Sequence, residues 1–415
     1  MISSLHLRNS TLISRAAATI LTILFVLALI LLFAQSAQAQ TFTLIHNFTG
    51  GGDGAQPQTG LTKDAAGNFY GTGGNTVFKL KRSGSSWVLN TLYTFQGGIY
   101  GRVAIAPDGT LYGTTMYGGT GSGTVFHLVP LPTAPKTAVA PWSETDLYLF
   151  TGGSDGKYPE SDIIFDQSGN IYGNTYMGGD SQACDDGCGV VYKLSRSGGG
   201  WTQSVLYTFH SSDGLSPWSG VIFDKAGNLY GSALEGGQYY AGEVYQLSPS
   251  GSGWTMHVLY TFTGGADGRH PNGGLIFDPF GNLYGGCELG GIPSNAGTVF
   301  ELTPSNGSWT FSTLYSFPEC AYPNNYCGGP AGMTMDAAGN LYGATYLDGA
   351  YGYGNIFKLT HSGGGWIYTS LHDFTGHADG GYPNSPVVLD ASGNLYGTAW
   401  VGGSYGEGVI WEITP

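Results

Sequence analysis

Gly281-Asn282-Leu283-Tyr284-Gly285 is one of seven nearly identical five-residue segments that recur along this chain of 415 residues. A recurrence with steps of about 40 to 60 residues indicates stacked or radially arranged repeats. The tyrosines of the seven copies are Tyr70, Tyr112, Tyr172, Tyr230, Tyr284, Tyr342 and Tyr396.

The repeat around this segment contains four candidate strands. An apolar run at Gly274–Asp278 is followed by a turn and a returning strand at Asn282–Gly285, and further strands are predicted at Thr298–Leu302 and Trp309–Phe317. A glycine between two apolar runs is typical of a hairpin turn that needs a positive φ. Four strands in about 50 residues are typical of one propeller blade. The sequence therefore predicts an all-β fold, a seven-bladed β-propeller.

The two ends of the mature chain complete each other. The last repeat has strand patterns at Val387–Asp390, Asn394–Thr398 and Val409–Ile413 but no fourth strand. Thr41–Phe48 matches the fourth-strand pattern of Ser370–Phe374. A solenoid would need polar caps instead. We therefore expect the N-terminal strand to complete the last blade and close the ring.

Residues 1–39 differ in composition from the rest. Arg8 and Arg15 precede the apolar run Ala16–Ala34, which is followed by small residues. This order predicts a secretory signal peptide cut before Gln40, with an uncleaved anchor as the alternative. The mature protein, residues 40–415, is then expected to be a single propeller domain, secreted to the extracellular space, periplasm or cell surface.

The charge balance excludes some partners. Residues 1–39 hold two basic and no acidic residues, so their removal leaves 12 basic and 28 acidic side chains, a net charge of −16. Such a surface repels nucleic acid and anionic lipid. We expect no nucleic-acid partner, no membrane span after signal removal, and a monomer.

Five cysteines suit an oxidising compartment. Cys184 and Cys188 are four residues apart, and Cys320 and Cys327 bracket one loop, so each pair is predicted to form a local disulfide. Zinc is the alternative, but neither spacing is the usual one and no histidine lies beside them. Cys287 remains, and its place in a strand predicts a buried thiol.

The seven Gly-Asn-Leu-Tyr-Gly copies and third strands such as Gly297-Thr298-Val299-Phe300 resemble the GloVer-type tandem repeats, or choice-of-anchor family, of bacterial secreted and surface proteins. The resemblance covers residues 41–415. It implies export, and often a C-terminal sorting segment. Because the chain stops at Pro415, we expect a released protein rather than an anchored one. The family implies no catalytic residues.

Two sets of aspartates recur from blade to blade. One set lies three residues before the turn glycine, as Asp224 does before Gly227, and is predicted to cap the turn. The other set opens the motif Asp-Gly-x-x-Pro, where each loop offers one carboxylate. Since calcium needs six to eight oxygens, turn capping is favoured over a calcium site, and we expect no cofactor. The motif occurs at Asp53–Pro57, Asp155–Pro159, Asp213–Pro217, Asp267–Pro271 and Asp379–Pro383.

Variable side chains on one face of the ring are the candidate site. The loops that join the second strand to the third, and the fourth strand to the next blade, must share this face, which we call the long-loop face. Aromatic rings with amides and carboxylates around a central mouth suit sugar binding. The candidate ligand-binding residues are Tyr117, Tyr158, Tyr176, Trp218, Glu235, His270, Glu288, Tyr346, Tyr382 and Trp400. Glu160, Asn272 and Asn384 occupy equivalent variable positions.

The sequence favours a non-enzymatic protein that binds a glycan or a protein ligand. A carbohydrate-active or lactone hydrolase or lyase that uses carboxylates of the long-loop face is the first alternative. Glu235 and Glu288 lie in neighbouring blades, but they are offset by one position and are expected on opposite strand faces. No hydrolase or metal motif is present, and no catalytic residue or metal site is predicted. A structural envelope or matrix protein is the second alternative.

Overall fold

The computed structural model describes residues 40–131, 142–180, 182, 184–251, 253–318 and 328–415. The predicted signal peptide and the Cys320–Cys327 pair lie outside these ranges. Within them no helix has the length and apolar character needed to cross a bilayer. The fold belongs to the compact unit Phe42–Thr414.

The described residues form 29 strands and no helix. In chain order the strands are β1 Thr41–Asn47, β2 Thr62–Lys63, β3 Phe69–Gly73, β4 Thr76–Ser83, β5 Ser86–Thr94, β6 Ala104–Ile105, β7 Leu111–Thr115, β8 Thr124–Pro130, β9 Trp142–Leu149, β10 Ile164–Phe165, β11 Ile171–Thr175, β12 Val190–Ser197, β13 Gly200–Thr208, β14 Ile222–Phe223, β15 Leu229–Ala233, β16 Glu243–Ser250, β17 Gly253–Thr261, β18 Arg269–Pro271, β19 Ile276–Phe277, β20 Leu283–Leu289, β21 Thr298–Ser305, β22 Ser308–Ser316, β23 Pro330–Met335, β24 Leu341–Thr345, β25 Asn355–Ser362, β26 Gly365–Asp373, β27 Val388–Leu389, β28 Leu395–Ala399 and β29 Val409–Thr414.

The strands form seven antiparallel sheets, which are the seven blades of a β-propeller. Blades 1 to 4 are β2–β5, β6–β9, β10–β13 and β14–β17, blade 5 is β18–β22, and blade 6 is β23–β26. Most innermost strands are only two residues long, and in blade 5 both Arg269–Pro271 and Ile276–Phe277 pair with β20. The seven-bladed prediction is confirmed.

The N-terminal strand closes the ring as predicted. Blade 7 has the order β1-β29-β28-β27, so its outermost strand comes from the opposite end of the chain. The Phe48 N–H donates to the Gly408 carbonyl at 3.0 Å. Phe48 is fully buried, and Ile45 packs against the core cluster that contains Ile410. The edge of β29 is thereby paired rather than left open.

The motif tyrosines pack between blades. Tyr230 of blade 4 lies in one buried cluster with Leu275, Leu283 and Phe300 of blade 5. The glycine that follows each tyrosine leaves room for an aromatic ring of the third strand. At Gly285, an added Cβ would lie 2.3 Å from Cζ of Phe300. The repeated segment is therefore explained by packing.

Replacing Gly285 with alanine is expected to lower the free energy of unfolding by about 1–3 kcal/mol, because the new methyl group overpacks the blade against Phe300 and Leu275. Chemical denaturation measures this change. Gly364→Ala is the control, since its Cβ would meet nothing within 4 Å and its φ is not positive. Equal stability losses in the two variants would contradict the packing explanation.

The turn aspartates act as predicted. Asp224 accepts hydrogen bonds from the backbone N–H groups of Ala226 and Asn228 at 2.8 and 2.9 Å. The Asn228 side chain and the Tyr230 hydroxyl donate to its other carboxylate oxygen. The same arrangement recurs at Asp64, Asp166, Asp278, Asp336 and Asp390.

The cysteines that are described agree with the sequence interpretation. Cys184 and Cys188 form a disulfide. Cys287 is a free, fully buried thiol in β20, and burial raises its pKa well above the ordinary value. A buried neutral thiol is chemically inert, as expected for a packing role.

Candidate functional site

A cavity of about 640 Å³ lies where the seven blades converge. Each blade contributes the residues just before or within its inner strand, which places the cavity on the propeller axis. Toward the long-loop face, six blades provide one large side chain each and blade 6 provides Ala331. The six are Gln58, Tyr100, Glu160, Trp218, Asn272 and Asn384. We call these six residues the mouth ring.

Beyond the mouth ring, the lining combines a charged pair with residues of the inner strands. Arg102 and Asp162 of neighbouring blades form a close pair, with Nε and Nη2 of the guanidinium 2.7 and 2.6 Å from Oδ2 of the carboxylate. The Arg102 N–H also donates to Oδ1 at 2.7 Å. Ile164, Ile222 and Ile276 line the cavity from the inner strands. Thr62 and Thr334 occupy the corresponding inner-strand positions of two other blades, so a ligand in the cavity would meet aliphatic and hydroxyl groups together.

The Asp-Gly-x-x-Pro loops position five of the six mouth-ring residues, all except Tyr100. In each loop the residue before the proline has a positive φ, although it is never glycine. The Tyr158 N–H, for example, donates to the Ser122 carbonyl of the preceding blade at 2.9 Å. Such a backbone costs about 1–2 kcal/mol per residue, so it persists only because the neighbouring blade and the proline hold it. The five residues are Gln56, Tyr158, Ser216, His270 and Tyr382, with φ between 49° and 61°.

The aspartates of these loops are occupied within their own loops. Asp267 accepts hydrogen bonds from the Thr263 backbone at 2.7 Å and from the Tyr260 hydroxyl at 3.0 Å. Asp155 makes the same contacts with Thr151 and Tyr148. Within the described ranges, no cluster of three or more His, Cys, Asp or Glu side chains is arranged to hold a metal. These contacts explain the motif by turn capping.

Three of the predicted site residues line the cavities. A second cavity of about 330 Å³ adjoins the first and shares Trp218, Asn272 and Asn384 with it. Glu288 and Tyr346 line this second cavity. Trp218 is 40% exposed. The ring of Tyr176 meets that of Trp218 edge-on, with centroids 5.1 Å apart.

Further predicted aromatics form pairs at blade boundaries. Tyr346 stacks on Tyr382 with ring centroids 5.0 Å apart, and Trp400 lies 6.4 Å from Tyr382. Tyr117 and Tyr158 form an edge contact at 5.4 Å. Nε1 of Trp400 is buried and has no hydrogen-bond partner among the described residues. Aromatic surface therefore extends from the second cavity across blades 6 and 7.

Glu235 and His270 lie outside both cavities. Nε2 of His270 lies 4.0 Å from Oε1 of Glu235, and the Glu235 side chain is 46% exposed. Burial, together with the nearby Arg269, lowers the pKa of His270. Leu234, one residue before Glu235, lines the second cavity together with Glu288. The one-position offset between the two glutamates thus places only one of them at the cavity.

Glu160 is a buried carboxyl group in the mouth ring. Its residue exposure is 5%, and Oε1 has no hydrogen-bond partner in the described part of the chain. Burial raises the pKa of this carboxyl from its ordinary value of 4.5 to about 7. A carboxyl kept close to neutral charge in a cavity is typical of a functional position. Its place directly after a loop proline was the only sequence signal.

An amide and a carboxylate meet at the boundary of the two cavities. Nδ2 of Asn272 donates to Oε2 of Glu288 at 3.3 Å. Oδ1 of Asn272 is buried and, among described atoms, has no partner. Burial and the nearby Glu288 raise the pKa of Tyr346. These three side chains therefore form one local group.

Solved propellers share the fold at low sequence identity. Virginiamycin B lyase from Staphylococcus aureus superposes with a TM-score of 0.54 and 15% identity, covering 91% of this chain and 99% of the other. The extracellular domain of the hybrid two-component system BT4673 from B. thetaiotaomicron gives 0.54 and 12%, covering 89% of this chain and 39% of that one. YCF48 bound to D1 peptide gives 0.52 and 12%, covering 92% and 97%. These likenesses concern the fold alone.

At the level of sequence, no curated protein matches the chain. The model of the Gloeobacter/Verrucomicrobia repeat matches residues 181–327 and 310–415. The two matches together cover more than half of the chain and contain four of the seven motif tyrosines. The predicted resemblance to GloVer-type repeats is confirmed. The chain belongs to the Gloeobacter/Verrucomicrobia repeat family.

Proposed function

We propose that this protein is a secreted, monomeric β-propeller that binds a glycan at the mouth of its central cavity. The observation that carries the proposal is the composition of that mouth. An exposed indole, Trp218, lines the same cavity as Glu160 and Asn272, whose buried atoms Oε1 and Oδ1 lack hydrogen-bond partners among the described residues.

Sugar recognition needs this combination of groups. The apolar face of a pyranose stacks on an aromatic ring, while its hydroxyls bond to amide and carboxyl groups. Gln58, Asn272 and Asn384 supply three amides to the mouth ring. Buried polar atoms without partners are costly, so a ligand that satisfies them gains affinity. A polyhydroxylated ligand fits these requirements better than an apolar one.

A glycan array on residues 40–415 tests the proposal. We expect a defined set of oligosaccharides to bind, and Trp218→Ala to weaken their binding about tenfold, as loss of a central aromatic anchor commonly does. Calorimetric titration of the strongest array ligand measures the change.

Tyr405→Ala is the matched control for this experiment. Tyr405 is an aromatic residue on the same face, 64% exposed, that lines neither cavity. We expect its loss to leave affinity unchanged. Silence across the array would contradict glycan binding and favour a protein ligand or a structural role.

Acid–base catalysis is the second candidate, and Glu160 is the observation that favours it. A carboxyl with a pKa of about 7 can donate or accept a proton near neutral pH. Turnover of a bound glycan, lost in Glu160→Gln with binding retained, would support a hydrolase or lyase. An unchanged ligand after prolonged incubation with the wild-type protein would exclude this candidate.

The proposal includes export. The basic and apolar order of residues 1–39 and the Cys184–Cys188 disulfide both support an oxidising compartment. Intact mass of the protein recovered outside the cytoplasm should correspond to a chain that begins at Gln40. A mass that retains residues 1–39 would show that the segment stays as an anchor.

A further inference from the structure

The second cavity has an unusual balance of hydrogen-bonding groups. Its walls include the rings of Trp218 and Tyr346, and its polar groups come from Asn272, Glu288 and Asn384. The donor of the Asn272 amide is already directed at Glu288, at 3.3 Å. Oδ1 of Asn272 therefore remains as a buried acceptor with no partner among the described residues. The cavity wall thus presents the Glu288 carboxylate to a ligand, while Oδ1 of Asn272 becomes accessible only if its side chain moves.

Positive charge is scarce around both cavities. Of the described residues that line them, Arg102 is the single lysine or arginine, and Asp162 holds it through three contacts of 2.6–2.7 Å. Within the described lining, an anionic ligand would therefore find no unpaired lysine or arginine; His270, beside Arg269, lies close to Glu288 but outside the lining. The mature chain as a whole is strongly acidic. The electrostatic field therefore favours a cationic or neutral ligand group.

Aromatic rings beside a carboxylate add a specific preference. An ammonium group is attracted to the faces of tryptophan and tyrosine rings, and its protons bond to carboxylate and amide oxygens. Trp218, Tyr346 and Glu288 line one space of about 330 Å³, large enough for one sugar ring. A neutral hydroxyl group would interact more weakly than an ammonium group with the carboxylate and the two aromatic rings.

We propose that the second cavity binds the amino group of an amino sugar, with Glu288 as the ion-pair partner and Trp218 and Tyr346 as the walls. This assignment rests on the proposed glycan-binding function and names its ligand class. Glu288 is then a specificity-determining residue, while the mouth ring holds the hydroxyls of the adjoining sugars.

The test compares two probes that differ in one group. Hexamers of glucosamine and of N-acetylglucosamine share the same backbone, but only the first carries free amino groups, which are ammonium groups in the mildly acidic buffer used for both. We expect the glucosamine hexamer to bind the wild-type protein about tenfold more tightly, the gain expected for a charge-assisted hydrogen bond. Added salt should reduce this preference. Calorimetric titration gives both affinities.

Glu288→Gln should reduce the preference to near unity and leave binding of the acetylated hexamer in place. Glu235→Gln is the matched control, because Glu235 lies in the neighbouring blade, one position out of register, and lines neither cavity. Its preference should equal that of the wild type. If Glu288→Gln fails to fold, the affinities of the wild-type protein for the two hexamers still test the amino-sugar assignment.

The outcomes separate the two proposals. Equal or tighter binding of the acetylated hexamer would overturn the amino-sugar assignment while glycan binding stands. An unchanged preference in a folded Glu288→Gln protein would also overturn it. Binding of neither hexamer, together with silence of the glycan array, would overturn both proposals.

Discussion

A protein that lacks Thr41–Thr49 is expected to unfold at a lower denaturant concentration than the chain of residues 40–415 and to aggregate. The deletion removes β1 and exposes the edge of β29 in blade 7. It also removes Phe48, whose fully buried ring lies in one cluster with Phe78 and Ile410. Loss of that ring alone should cost about 3–5 kcal/mol of unfolding free energy. Urea titration and light scattering measure both effects.

Point variants distinguish the contribution of the N-terminal strand from a nonspecific loss of stability. Phe48→Ala removes a buried phenyl ring, whereas Phe280→Ala removes one that is 87% exposed. We expect a large loss of stability in the first variant and almost none in the second. A deletion variant that unfolds with the same midpoint as the chain of residues 40–415 would contradict closure by the N-terminal strand.

The second large effect concerns Glu160. Because the folded state holds the proton up to a pKa of about 7, and the unfolded chain releases it near 4.5, the folded state loses stability as pH rises through this window. Below the window the carboxyl is protonated in both states. Above this window, ionisation of the buried Glu160 lowers the free energy of unfolding by about 3 kcal/mol, at 1.36 kcal/mol per unit of pKa.

Glu160→Gln removes this dependence. We therefore expect the variant to match the wild type near pH 4 and to exceed its stability by up to about 3 kcal/mol at pH 8. Tyr100 lies near this carboxyl and is unchanged in the variant. Burial and Asp146 also raise the pKa of Glu144 to about 7, so the difference between variant and wild type is the quantity to compare.

Urea titrations of both proteins between pH 4 and pH 8 measure this difference. Glu235→Gln, at an exposed carboxylate, should show no such growth of stability with pH. A constant difference between Glu160→Gln and the wild type across the range would contradict the raised pKa. Higher stability together with weaker ligand binding would indicate that the cavity sacrifices stability for its function.

The fold was predictable because each blade repeats the same packing problem. Every Tyr of the motif fills the space before the next blade, and the glycine after it makes room for a ring such as Phe300. Because the same requirement acts in all seven blades, the motif is recognisable even though single repeats deviate from the pattern. Closure was also predictable, because a missing fourth strand and an extra first strand are visible at the two ends.

The site was only partly predictable. Residues at or just after the ends of the second strands, such as Glu288 and Tyr346, were candidates because positions that vary between blades carry function. Tyr100 and Arg102 were missed because blade 2 lacks the Asp-Gly-x-x-Pro motif that marks these positions elsewhere. Burial of Glu160 depends on neighbours from other blades, which no local pattern records.

The backbone conformation of the residues before the loop prolines could not be predicted from the sequence. Tyrosine, histidine, serine and glutamine rarely adopt a positive φ, and a following proline is not a signal for it. The five loop residues adopt it because their N–H groups bond to carbonyls of the preceding blade, as Tyr382 does to Tyr353 at 2.7 Å. The direction of the mouth ring thus follows from contacts between blades, which only the assembled ring supplies.

A crystal structure of residues 40–415 soaked with the best array oligosaccharide tests the central claim most directly. The account predicts a sugar ring stacked on Trp218, with hydroxyl or amino groups within 3.2 Å of Glu160, Asn272 or Glu288, the distance of an ordinary hydrogen bond. An oligosaccharide bound on the outer strands or on the opposite face, with only water along the axis, would contradict it.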